Sequence, residues 1–142
     1  MDITTDEILY NKLTVSKIDL TDSHEGVVSL TTPTNKIFSA FFWGQSFEQN
    51  KTYKIKFNCL EYPLKWETIF SENKNKRQTL EADSDFCSYA AYGRIISINP
   101  IIADFGDINI EIGDWTHDEQ VIGEFIYYKI DRLDILDVKN CT

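Results

Sequence analysis

The sequence predicts an all-β fold, a single barrel or sandwich of short antiparallel strands with few or no helices. Two runs, residues 53–57 and 107–112, alternate apolar and polar side chains with the period of two that a strand requires. Runs rich in β-branched and aromatic residues predict further strands at residues 13–20, 27–32, 36–43, 88–98 and 122–130. Turn-forming residues separate these runs at intervals typical of barrels and sandwiches.

The segments between these runs carry turn signals, and few of them favour a helix. Residues 22–26 predict a hairpin between the first two strands, while Asn99-Pro100 and Gly113-Asp114 mark later turns. Residues 2–12 have the spacing of one helical turn. Residues 71–86 are polar and strongly charged without an apolar period, so we expect a solvated loop inserted between strands.

The alternation over residues 107–112 also predicts the core. A shift of one residue would bury the polar side chains of this run, so its three isoleucines should lie inside and its polar residues outside. The inward residues are Ile108, Ile110 and Ile112, and the outward residues are Asp107, Asn109 and Glu111. Two adjacent aromatic pairs, Phe41-Phe42 and Tyr127-Tyr128, point to opposite faces in a strand, so one member of each should be core.

Length and composition indicate one globular domain, 1–142, with 42% hydrophobic and 13% aromatic residues. No stretch approaches the roughly 18 apolar residues of a transmembrane helix, and residues 1–7 are acidic rather than a secretory signal. Cys59, Cys87 and Cys141 cannot all pair within one chain and have no metal-ligand spacing. We therefore expect a cytoplasmic protein with reduced thiols, no membrane contact and no metal or cofactor.

The net charge of −9 is concentrated near the C-terminus. Residues 103–138 carry ten acidic and two basic side chains, a net charge of −8, whereas residues 51–80 carry seven basic and three acidic side chains. A strongly negative surface repels nucleic-acid backbones and anionic membranes and attracts basic proteins. The charge therefore favours a basic protein partner and disfavours nucleic acid.

Catalytic motifs are scarce in this sequence. It contains no G-x-S-x-G nucleophile motif and no glycine-rich phosphate-binding motif. The densest chemical group is residues 114–119, with one imidazole and three carboxylates. Their spacing fits neither a calcium loop nor a helical histidine pair, so we predict no metal site and no catalytic residue. A small enzyme that uses this acidic loop is one alternative.

Strands and glycines alternate in three later runs, residues 92–100, 104–112 and 123–130. This rhythm resembles part of an OB-type barrel, although the eight or so candidate strands exceed the five of that fold, so a larger barrel or a sandwich stays open. The resemblance implies a second alternative, a barrel that binds nucleic acid or a small ligand. Exposed aromatics among Phe38, Phe41, Phe42 and Trp43 would then stack on bases beside the basic residues of 51–80.

In size, acidity and lack of catalytic motifs, the chain resembles the small acidic immunity proteins that neutralise bacterial toxins delivered between competing cells. This resemblance implies a non-catalytic protein-binding module that neutralises a basic, nuclease-type toxin. The acidic C-terminal third would supply the binding face, with Trp115 as its aromatic anchor. The predicted partner-binding residues are Asp104, Asp107, Glu111, Asp114, Trp115, His117, Asp118 and Glu119.

Overall fold

A computed structural model describes residues 5–61, 66–83 and 87–141 of the chain. In this part, nine strands form one sheet, two helices are short, and the predicted all-β class is confirmed. The helices are α1 (Thr5–Leu9) and α2 (Trp66–Ser71), with a single 3-10 turn at Glu119–Val121. The strands are β1 (Asn11–Leu20), β2 (Glu25–Thr31), β3 (Ile37–Trp43), β4 (Thr52–Glu61), β5 (Thr79–Ala82), β6 (Tyr89–Ser97), β7 (Ile102–Asp104), β8 (Asn109–Glu111) and β9 (Phe125–Asn140).

Five strands close into a ring. Strands β1, β2 and β3 form a meander, and β4 returns to pair with β1, which is a Greek-key arrangement. The C-terminal part of β9 pairs antiparallel with β4 and meets β3 in parallel at one residue pair, Phe41 and Asp134. The order around the ring is therefore β3-β2-β1-β4-β9, closed by the short contact between β9 and β3.

The remaining strands form a second part of the sheet, here called the wing. Residue Ile130 of β9 pairs with both Glu61 and Tyr89, so β4 and β6 lie on opposite edges of β9. The wing consists of residues 125–130 of β9 with β6, β5, β7 and β8. The ring has the strand number of an OB barrel, but the runs from Tyr92 to Ile130 that resemble such a barrel lie in the wing instead.

The core is one cluster shared by ring and wing. Ile108, Ile110 and Ile112 are at most 2% exposed, so their predicted burial is confirmed. The predicted exposure of the three polar residues of this run is wrong, because each is half-buried. Asn109 donates its backbone N–H to Asn11 Oδ1 over 2.8 Å and its side-chain amide to the Ile8 carbonyl over 3.1 Å. The N-terminal segment thus covers the face of β8 that the alternation assigned to solvent.

The segment predicted as a solvated loop, residues 71–86, contains regular structure. Strand β5 lies within it, and Asn73 is only 7% exposed. The Asn73 amide donates to the carbonyls of Arg77 and Ile126 over 2.8 and 3.0 Å and so ties the segment to the wing. The loop prediction is wrong at these positions because an edge strand with one solvated face needs no apolar run. Residues 84–86 lie outside the described part.

Other local predictions agree with the structure. The hairpin predicted at residues 22–26 is present, since Leu20 of β1 pairs with Gly26 of β2, and the predicted helical turn falls on α1. Phe42 and Tyr128 are buried while their neighbours Phe41 and Tyr127 are half-exposed. Among the described residues, no helix is long and apolar enough to cross a membrane.

Candidate partner-binding site

Three exposed acidic residues, Asp114, Asp118 and Glu119, lie close together in the segment that follows β8, residues 113–119, here called the acidic loop. The loop begins at Gly113, whose φ of +112° is in the region that favours glycine. A Cβ atom at this position would lie 3.1 Å from the Trp115 ring, so a larger residue would displace the tryptophan. The chain therefore turns sharply here and folds Trp115 back over Gly113.

Trp115 fixes the acidic loop to the body of the protein. Its indole Nε1 donates to the Ile112 carbonyl over 3.0 Å, and its ring lies edge-on to Phe70 of α2 with the centroids 6.1 Å apart. The side chain is half-buried and packs against the core cluster. Trp115 is thus a structural support of the loop, with only part of its surface open to a partner.

The carboxylates that project from this support are open to solvent. The Asp114 side chain is 58% exposed and lies 3.7 Å from the His117 imidazole, which is 67% exposed. Asp118 caps the 3-10 turn, since its Oδ1 accepts the Gln120 N–H over 3.0 Å, and Glu119 is exposed. No lysine or arginine of the described residues lies within 4.0 Å of these three carboxylates. The loop therefore presents negative charge that no lysine or arginine of the described part neutralises.

Two predicted site residues lie elsewhere. Asp104 is the last residue of β7 and Asp107 lies in the turn between β7 and β8, whereas the acidic loop follows β8, so β8 separates the two groups. Asp104 Oδ1 accepts the Gly106 N–H over 2.8 Å. Asp107 pairs with Lys36 at 3.3 Å, accepts from the Thr34 hydroxyl and is 18% exposed. Both carboxylates stabilise local structure, and Glu111 is half-buried within β8.

Two further carboxylates of residues 103–138, both in β9, have side-chain partners. Asp134 accepts two hydrogen bonds from the Arg132 guanidinium, at 2.6 and 3.0 Å. Asp137 accepts from the Tyr10 hydroxyl. Strand β9 therefore spreads its charges over the sheet, and the acidic loop retains the densest exposed set, Asp114, Asp118 and Glu119.

The basic residues of 51–80 do not form one groove beside the exposed aromatics. Lys51 lies over the Tyr53 ring and near Glu48, and Arg77 stacks on Tyr92 at 3.9 Å while it pairs with Glu81. Lys54 and Lys56 belong to β4, which is not a neighbour of the aromatic strand β3 in the ring. Lys65 lies outside the described residues. These positions give little support to a base-stacking surface.

The sequence did not predict a groove of about 530 Å³ that lies on the outside of β3 and β9. Trp43 and Leu136 on its walls are 69% and 53% exposed, and Arg132 lies 4.4 Å from the centre of the Phe41 ring. Phe41 and Trp43 are among the four aromatics that the sequence marks as candidates for stacking, but it does not assign which of them are exposed. The partner wall was missed because the charged residues of 131–140 gave no sign that β9 continues.

Among the described residues, no group of three or more His, Cys, Asp or Glu side chains has the arrangement of a metal site. The clearest pKa shifts belong to two buried neighbours. Burial raises the pKa of Cys87 to about 11 and that of Tyr89 to about 12. Neither group belongs to the acidic loop.

Comparisons with models of known protein families, with curated proteins and with solved structures found no match to this chain. A functional assignment therefore depends on the chemistry of its own residues.

Replacing Trp115 by alanine is expected to lower the free energy of unfolding by about 1–2 kcal/mol, roughly half the value for a fully buried large side chain. Trp115→Phe should lower the free energy of unfolding by less, because phenylalanine keeps the contact with Phe70 and removes only the hydrogen bond to the Ile112 carbonyl. Urea denaturation of the two variants measures this order. Equal stability of Trp115→Ala and the wild type would show that the tryptophan does not support the loop.

Proposed function

We propose that this chain is a non-catalytic binding protein that inhibits a basic, nuclease-type toxin through the carboxylates of the acidic loop. The supporting observation is the set Asp114, Asp118 and Glu119, which is exposed and has no lysine or arginine partner among the described residues. Charges already neutralised by neighbours gain little from a partner, whereas unpaired exposed charges attract it from a distance.

The anchoring of the loop adds to this argument. Trp115 holds the loop against α2, and Asp118 begins the 3-10 turn, so the carboxylates are positioned before a partner arrives. A prepositioned surface loses less conformational entropy on binding than a mobile one. An inhibitor that must meet its toxin quickly benefits from both features, because opposite charges raise association rates by orders of magnitude at low salt.

The proposal predicts an effect on association. At low salt, the triple variant Asp114→Asn, Asp118→Asn, Glu119→Gln should associate with its toxin roughly tenfold more slowly than the wild type. At high salt, the difference in association rate should be much smaller, and the dissociation rate should be nearly unchanged at both salt concentrations. A suitable screen co-expresses the chain in bacteria with each of a panel of basic nuclease toxin domains and scores survival. Stopped-flow kinetics then follow with the domain that is neutralised.

A matched control separates the acidic loop from the total charge. The variant Asp19→Asn, Asp22→Asn, Glu48→Gln also removes three negative charges, but from the end of β1 and from the β1–β2 and β3–β4 connections of the ring. It should retain most of the wild-type association rate. If no toxin domain of the panel is neutralised, or if both triple variants slow association equally, the acidic loop is not the binding site.

A further inference from the structure

A small cleft lies between the edges of two strands that do not pair with each other. It has a volume of about 210 Å³ and is bordered by the start of β3 and the start of β5. Its apolar lining includes Phe38, Leu80, Phe105 and Ile108. At one end, the ion pair between Lys36 and Asp107 closes the gap between the β2–β3 turn and the turn before β8.

The backbone of β3 turns hydrogen-bonding groups toward this cleft. Thr32 donates its N–H to the Lys36 carbonyl over 2.8 Å, so these residues form a hydrogen-bonded pair of the antiparallel β2–β3 ladder. Hydrogen-bonded and non-hydrogen-bonded pairs alternate along such a ladder. The next pair, Thr31 and Ile37, is therefore of the other kind, and the N–H and C=O of Ile37 point away from β2.

Farther along the same edge of β3, the outward backbone groups have hydrogen-bond partners. The Tyr89 hydroxyl bonds to both the N–H and the C=O of Ser39, each over 2.7 Å. Phe41 pairs with Asp134 of β9, and the Trp43 N–H donates to Gln45 Oε1 over 3.0 Å. Ile37 is the remaining outward position of this series, and it lies at the cleft. The edge of β3 is thus closed at three positions and open at the fourth.

The opposite wall of the cleft, β5, also turns backbone hydrogen-bonding groups toward it. Asp83 donates its N–H to the Ser88 carbonyl over 2.9 Å, which fixes the phase of the β5–β6 ladder. Three residues earlier along β5, the pair of Leu80 and Ala91 is of the non-hydrogen-bonded kind. The N–H and C=O of Leu80 therefore point away from β6, to the free edge of β5. Donors and acceptors of two strand edges face one cleft, whose lining combines apolar with polar side chains.

We infer that this cleft binds an extended peptide segment of a partner protein, with one apolar side chain inserted between β3 and β5. Open strand edges pair with added strands, which gain affinity from main-chain bonds and specificity from a side-chain pocket. The cleft is smaller than the roughly 300–1,000 Å³ typical of small-molecule and cofactor sites, and its size suits a single side chain. Ile37, which is 68% exposed beside the edge, would be covered by the added strand.

The charge of the chain argues against a second copy as the occupant. Two molecules that each carry a net charge of −9 repel one another, whereas a neutral or basic segment meets no such barrier. The site also lies apart from the acidic loop, because Asp107 at its end precedes β8 and the loop follows it. Peptide binding here is therefore independent of the function proposed above.

The test is a displayed library of random seven-residue peptides, selected on the full chain and counter-selected on Ile37→Pro. Proline removes the outward N–H and is tolerated at a strand edge where that group faces solvent. The control Ile37→Val keeps the N–H and a β-branched side chain. Selected peptides should carry a central apolar residue and bind Ile37→Pro at least tenfold more weakly than the wild type, but Ile37→Val within threefold.

Measurements on the unmodified chain make the result independent of how Ile37→Pro folds. A selected peptide should slow amide hydrogen exchange at Ile37 and Leu80, and its counterpart with N-methylated central amides should bind at least tenfold more weakly. The inference is overturned if no peptide is enriched, if the N-methylated peptide binds equally well, or if these amides exchange at the same rate with and without peptide. A chain dimer that the peptide fails to dissociate would assign the cleft to self-association and would also overturn it.

Discussion

Replacing Ile110 by alanine is expected to lower the free energy of unfolding by about 2–5 kcal/mol. The side chain is completely buried in β8, which pairs with β7 and packs near β4 and α1. Truncation removes apolar contacts and leaves a cavity that the paired backbone cannot fill by collapse. Urea or guanidinium denaturation, monitored by tryptophan fluorescence, measures the loss.

The neighbouring residue Glu111 supplies the control. It is in the same strand but half-buried, and its side chain has no hydrogen bond or ion pair in the described structure. Glu111→Ala should therefore change stability by about 0.5 kcal/mol or less, as surface substitutions usually do. A loss for Ile110→Ala that is no larger than the loss for Glu111→Ala would contradict the assigned orientation of β8.

The contrast between these residues shows how far the alternation of a single run predicts structure. A period of two identified which side chains of 107–112 point inward, because the isoleucines have a favourable place only in the core. The same period gave no information about what lies over the other face. Asn109 is covered because α1 and the start of β1 lie across β8, and this contact joins residues about a hundred positions apart.

The extent of β9 was not predictable from its own pattern. Residues 131–140 include several charged side chains, but they continue the strand because β4 pairs with them along its whole length. Register shifts at Lys56/Phe57 and Leu60/Glu61 interrupt the alternation on the partner strand. A bulge of this kind changes which residues face inward, and a strict period of two does not anticipate it.

The candidate site was predicted only in part, for an electrostatic reason. A sum of charges over residues 103–138 treats every carboxylate alike, whereas the fold neutralises some of them with partners distant in sequence. Asp107, for example, pairs with Lys36. The acidic loop keeps its exposed charge because no described lysine or arginine lies beside it. The cleft was not anticipated, because its walls come from two strands that do not pair with each other.

Raising the pH from 8 to 12 is expected to lower the free energy of unfolding by several kcal/mol, because two buried side chains, Cys87 and Tyr89, ionise in this range. Cys87 and Tyr89 are each 5% exposed. Burial raises the pKa of the Cys87 thiol from 9.0 to about 11, with a smaller contribution from Asp134 that Arg132 opposes. Burial also raises the pKa of Tyr89 from 10.0 to about 12, although its bond to the Ser39 backbone opposes the shift.

The folded protein holds both protons more tightly than the unfolded chain, so the unfolded state ionises first as the pH rises. The stability contributed by Cys87 is complete below pH 9.0 and declines up to about pH 11. That of Tyr89 is complete below pH 10.0 and declines up to about pH 12. At about 1.4 kcal/mol for each pKa unit, each group accounts for about 2–3 kcal/mol.

Guanidinium denaturation at half-unit steps between pH 8 and pH 12 measures this decline, and Cys87→Ala separates the two groups. The variant should lose little stability between pH 9 and 10, where only the thiol of this pair ionises in the unfolded chain, and should then follow the wild-type slope as Tyr89 ionises. All other tyrosines and lysines are the same in both proteins. Parallel curves for Cys87→Ala and the wild type over pH 9–10 would show that the Cys87 thiol is not buried in its protonated form. A break in the variant's curve near pH 10 is the expected result, because Tyr89, whose hydroxyl joins β6 to β3 at Ser39, then begins to ionise in the unfolded chain.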